Sequence, residues 1–165
     1  MPSDSRRTDD GAPRVWPGTP TPFLTQPRAQ SALRHELDII VEEIKPSIER
    51  CRAERPEGSF EVVVLPNRVI ARVDDTAVSF SWLTGRLPTV ADGCLLVIAW
   101  SNVASGVRGA AALKSATPTH ERTYLAEGST PDEWRWCADG LVEKPCSSQH
   151  LTAEWLARIA PAPGI

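Results

Sequence analysis

The sequence predicts an α+β fold: an antiparallel sheet of about five to six strands, packed by a long N-terminal helix and a C-terminal helix. Three observations lead there. Residues 59–100 hold the densest apolar and β-branched run in the chain, cut at short intervals by turn residues. Residues from Arg28 instead repeat apolar side chains at three- and four-residue steps, the period of a helix. The strands follow one another as a block between helices, which is the pattern of an antiparallel sheet with its helices segregated.

Residues 1–27 are rich in Pro, Ser, Thr, Asp and Gly, a composition that buries too little surface to fold alone, so a disordered or extended proline-rich arm is expected. Val15-Trp16-Pro17 and Pro22-Phe23-Leu24 interrupt it with large apolar groups. They are either incidental aromatics in a loose leader or, with Trp16 and Phe23 as anchors, a peptide arm that docks in a groove on its own domain or on a partner. Residues 28–160 then form one α+β domain and residues 161–165 a C-terminal tail.

In the helix, Leu33, Leu37, Ile40, Val41, Ile44 and Ile48 make a single apolar stripe, with Arg34, Glu36, Glu42, Glu43, Glu49 and Arg50 opposite. Such a stripe packs across a sheet; it falls short of the heptads a coiled coil needs. Pro46 lacks an amide proton and is expected to bend or restart the helix, and Pro56 and Gly58 end it. Val62–Leu65 is a strand, Pro66-Asn67 a turn, Arg68–Val73 a second strand, Asp74-Asp75 a turn and Thr76–Trp82 a third. Cys94–Trp100 is apolar at every position, as befits a central strand covered on each side.

Residues 101–120, rich in Gly, Ala and Ser, read either as a small-residue helix over 107–116 or as a mobile loop. Arg122–Glu127 and Glu133–Ala138 are strands, the second carrying Trp134 and Trp136 on one face and Arg135 and Cys137 on the other. Ser147 or Ser148 caps a last helix reaching about Ala160, with Leu151, Trp155, Leu156 and Ile159 inward. This order of elements is similar to that of type III secretion chaperones and other small acidic adaptor domains, a resemblance of order with no shared motif.

The charge balance, 18 basic against 21 acidic residues, gives no pull toward nucleic acid or anionic membrane. No apolar run has the length of a membrane span, and Arg6-Arg7 is not followed by the apolar stretch of a secretion signal, so a cytoplasmic protein is expected. Cys51, Cys94, Cys137 and Cys146 are widely spaced, as reduced thiols rather than a disulfide framework.

Candidate chemistry is sparse. Cys137, Cys146 and His150, with His120 or Cys94 as a fourth ligand, are the best zinc set, but they lack the closely paired spacing of structural zinc sites. Two unrelated thiols and a surface histidine are the simpler account. Glu43-Ile44-Lys45 has the spacing of a nuclease triplet but falls mid-helix, and Asp74-Asp75 is explained by its hairpin. Ser105–Gly109 reads either as a loop that cradles an anion on its backbone amides or, more simply, as a mobile linker. No nucleophile, phosphate loop or cofactor motif is legible, so neither catalytic residues nor a cofactor are assigned.

The aromatic set is skewed: six Trp against one Tyr and three Phe. Most suit a core. Trp134 and Trp136 flank Arg135 on a late strand that is expected to lie at an edge, and Trp and Arg are the residues of binding hot spots. The function expected is therefore a non-catalytic protein-interaction module (subunit, adaptor or chaperone-like), binding a protein partner or its own copies through Trp16, Phe23, Trp134, Arg135 and Trp136. The alternative is a small enzyme or zinc-dependent protein whose site gathers distant residues, Cys137, Cys146 and His150 among them.

Overall fold

The structure, a computed structural model, describes residues 22–160. It is α+β as expected. The elements are helices α1 (Pro22–Thr25) and α2 (Arg28–Glu54), strands β1 (Phe60–Leu65), β2 (Arg68–Val73), β3 (Thr76–Leu83), β4 (Cys94–Ser101), β5 (Thr117–Glu127) and β6 (Arg135–Ala138), and helix α3 (Ser148–Leu156). The strands form one antiparallel sheet in sequence order, a meander of six.

Two-residue turns set the register of the first three strands, pairing Leu65 with Arg68 and Val73 with Thr76. Asp74 takes φ 55°, a conformation Asp tolerates better than most residues. Its carboxylate accepts from the Ser59 amide at 3.0 Å and pairs with Arg55 at 2.7 Å. The Ser59 hydrogen bond first, then the Arg55 bond, hold its carboxyl below the usual aspartate range.

Because side chains alternate across a strand, this register sorts the sheet into two faces. Val69, Ala71, Val73, Val78, Phe80, Trp82, Leu95, Val97, Ala99, Tyr124, Trp136 and Ala138 are buried and join the stripe of α2 and the inner side of α3 in one core. Ile40, Ile44 and Ile48 are 0 % exposed. Burying each such side chain contributes about 1.5–3 kcal/mol. Gly93 serves this core by omission: a Cβ there would stand 2.5 Å from the Trp82 ring and 2.7 Å from the Leu83 carbonyl.

Several boundaries differ from expectation. Phe23 and Leu24 are 2 % and 4 % exposed, so the folded unit takes in α1, and Phe23 belongs to the domain's own core rather than to a free arm. Trp16 lies outside the described residues. Helix α2 runs through Pro46 without restarting, the proline being on the exposed side where the missing amide is cheapest. Strand β5 begins at Thr117, inside the segment expected to be loop or helix, and α3 ends at Leu156, followed by turns to Ala160. Ser147 is the N-cap, its hydroxyl accepting from the His150 amide.

Residues 102–116 cross the second face of the sheet, with a 3-10 turn at Gly109–Leu113. Val103, Ala112 and Leu113 bury Ile70 and Ala77 in a smaller cluster flanked by Val63 and Trp100. Arg72, 6 % exposed, pins this crossing: its guanidinium donates to the carbonyls of Asp74 (2.9 Å), Val107 (2.7 Å) and Ala104 (2.8 Å). The Gly109 amide donates to the Glu61 carboxylate, so the Ser105–Gly109 loop spends that amide on its own chain and not on an anion.

A planar fork with three carbonyl acceptors has no substitute in lysine or methionine. Arg72→Met is expected to cost about 3 kcal/mol in urea unfolding, because three carbonyls lose their donor. Limited proteolysis should cut the variant within residues 102–108 first; cleavage unchanged from wild type would show that the loop is held by something else.

Candidate interaction surface

The tryptophans expected to form an outward strip face inward. Trp134 is 2 % and Trp136 0 % exposed, and their rings meet edge to face at 5.4 Å, with Trp82 6.2 Å from Trp136. The cause is the parity of β6: Trp136 lies opposite Ala126, and that parity points to the helices. Trp136 Nε1 donates to Ser148 Oγ (2.8 Å), and Ser148 Oγ donates to Glu36 (2.6 Å), a bolt from sheet to α3 to α2. Trp155 Nε1 donates to the buried Tyr124 hydroxyl at 2.9 Å, a second tie between α3 and the sheet. The pair therefore closes the domain and offers no ring to a partner. Arg135 does stand exposed, its guanidinium donating to the Trp134 carbonyl.

Strand β6 is an edge, as expected, but its outer side is occupied: Trp136 and Cys146 exchange both backbone hydrogen bonds, at 2.7 and 2.9 Å. Among the described residues no group of three His, Cys, Asp or Glu side chains could hold a metal, so Cys137, Cys146 and His150 do not converge on one. Glu43 and Lys45 sit mid-helix around the buried Ile44. Burial pushes the thiols of Cys94, Cys137 and Cys146 above their ordinary range, the opposite of what a nucleophilic cysteine needs.

The open surface is elsewhere. Helices cover one face of β4, whose Leu95, Val97 and Ala99 are buried, while Cys94, Leu96 and Ile98 on its other face remain half-exposed. The expectation that both faces are covered is thus met on one only. The register extends the uncovered area sideways. Leu83 stands opposite Cys94, Thr123 opposite Leu96, and Leu125 opposite Cys137. Leu83 and Leu125 are 44 % and 40 % exposed. The 102–116 crossing covers the β1–β3 side of this face and, among the described residues, nothing covers the quadrant over β3–β6.

That quadrant was legible only as an excess. An antiparallel strand with one wet face alternates apolar and polar residues, and β4 does not. Which parity would be left open depended on where the helices landed.

No family model matches this chain, and neither a curated protein nor a solved structure does. No helix among the described residues is long and apolar enough to cross a membrane.

Two measurements follow from this geometry. Trp136→Phe removes the donor to Ser148 and is expected to lower stability by about 1–3 kcal/mol beyond the lost ring area, by analogy with other broken buried hydrogen bonds. Trp134 Nε1 is buried without a partner, so Trp134→Phe loses ring area but relieves that donor and should cost less. Urea unfolding that ranks the two the other way would contradict the bolt. At neutral pH, alkylation of Cys94, Cys137 and Cys146 by iodoacetamide should lag behind a free thiol and accelerate only above the ordinary thiol range, as followed by mass spectrometry of the labelled peptides.

Proposed function

We propose that this protein is a non-catalytic interaction module, a subunit, adaptor or chaperone-like domain, that binds a protein partner through the open quadrant of its sheet. The observation that carries this reading is the row Leu83, Cys94, Leu125 and Cys137 with Leu96 and Ile98 beside it, apolar side chains left half-wet on a rigid strand surface. Contiguous apolar area of this kind costs solubility, and surfaces that retain it are commonly binding sites. The inward-turned tryptophans support the reading indirectly: they fix β3, β5 and β6 against the helices, so the outer face is held in shape before any partner arrives. Trp16, in the leader, remains part of this proposal as a second anchor. Four free thiols and an acidic charge balance agree with a cytoplasmic setting.

A photo-crosslinking residue placed at Leu125, in the native host, should give one discrete covalent adduct with another polypeptide, and the same residue at Glu42, on the exposed side of α2, should not. Leu96→Glu combined with Leu125→Glu should leave the thermal melt within a few degrees and abolish the adduct formed from a crosslinker at Leu83. Equal crosslinking from both faces, or none from the sheet, would defeat the proposal.

A further inference from the structure

Where the 102–116 crossing meets the open quadrant, a groove of about 360 Å³ lies between the sheet and the 3-10 turn, lined by Arg68, Trp100, Ala110, Ala111, Leu113 and Lys114. Its chemistry differs from the rest of the surface. The chain carries a net charge of −3, yet the lining holds two cations and no carboxylate. Among the described residues neither Arg68 nor Lys114 has an ion-pair partner, so both charges remain open to one supplied from outside. Arg68 is half-buried, and its Nε is sealed from solvent with no acceptor. A buried donor left unsatisfied is costly, and an acceptor supplied from outside would repair it. Trp100, its Nε1 tied to Ser79 Oγ at 2.9 Å, gives the groove an apolar wall.

Resting on the interaction reading above, we infer that the groove receives a carboxylate from an acidic segment of the partner polypeptide, with Arg68 and Lys114 as its receptors. A guanidinium fork takes a carboxylate through two parallel hydrogen bonds, and the lysine adds a point charge that need not be aligned. Arg68 stands at the start of β2 opposite Ser81, and Ser81 stands opposite Leu96. A strand or loop lying across the quadrant therefore carries its apolar side chains on Leu96 and Leu125 while an acidic residue at one end enters the groove. A polyphosphate backbone fits less well: Glu121 and Glu127 are exposed on this same face, and two cations make a point rather than a track.

The test uses the full chain and a display library of short random peptides. Enriched peptides should carry Asp or Glu beside aliphatic or aromatic residues. Measured by fluorescence anisotropy, the best of them should bind Lys114→Glu and Arg68→Gln about tenfold more weakly than wild type, with a weaker salt dependence. Lys114 is exposed, so its variant folds even if the Arg68 variant does not, and thermal melts establish both. Peptides without an acidic bias, no enrichment, or unchanged affinity in Lys114→Glu would overturn the inference. So would tighter binding of an oligothymidylate probe through the same two residues, or self-association of the chain that both variants abolish. If peptides enrich without acidic bias and lose binding to the Leu96→Glu, Leu125→Glu variant, the groove is refuted while the interaction module stands.

Discussion

A six-stranded sheet has two faces, and among the described residues the α-helices pack on one of them. The rest of the structure depends on how firmly that one face is closed. Helix α2 lays Ile40, Ile44 and Ile48 across the sheet, and α3 is drawn in by Trp136, Ser148 and Glu36, whose hydrogen bonds tie β6 and α3 to the distant helix α2. The hydrophobic term is non-directional and would accept many placements of α3. The indole-to-serine-to-glutamate chain accepts one. Trp155 and Tyr124 repeat the device one strand inward.

The second face is treated differently in its two halves. Over β1–β3 a loop does the work of a helix, and a loop has unsatisfied backbone to hide. Arg72 answers that need, since a guanidinium can donate to several carbonyls at once, and Glu61 takes up the Gly109 amide and pairs with Arg108. Over β3–β6 no such cover exists among the described residues, yet the side chains remain apolar. The border between the two halves is where Arg68 and Lys114 line the groove with no ion-pair partner among the described residues.

The two edges of the sheet contrast in the same way. Strand β6 is bridged at Trp136 by the Cys146 backbone, while β1 keeps Val64 and Leu65 at 55 % and 39 % exposure. An open edge is an aggregation hazard that proteins blunt by brevity and nearby charge. Here β1 is six residues long and lies beside α2, from which Arg52 reaches its Phe60 carbonyl and Arg34 the Pro66-Asn67 turn that follows it.

Local chemistry settled much of this protein in advance. The stripe of α2, the Pro66-Asn67 and Asp74-Asp75 turns, a serine cap at 147 or 148 and the alternation of β2 and β3 are short-range matters, and short-range rules read them from the residues alone. Even the excess of apolar residues in β4 was visible. Tertiary structure decided what alternation cannot: which parity of each strand meets the helices. One bit of information per strand turned Trp134 and Trp136 from a binding strip into the core, drew Phe23 out of the leader, and left Leu96, Ile98 and Leu125 facing outward. It also set Arg68 and Lys114, forty-six positions apart, on one groove. No local pattern carries that information, because the choice belongs to the packing of the whole chain.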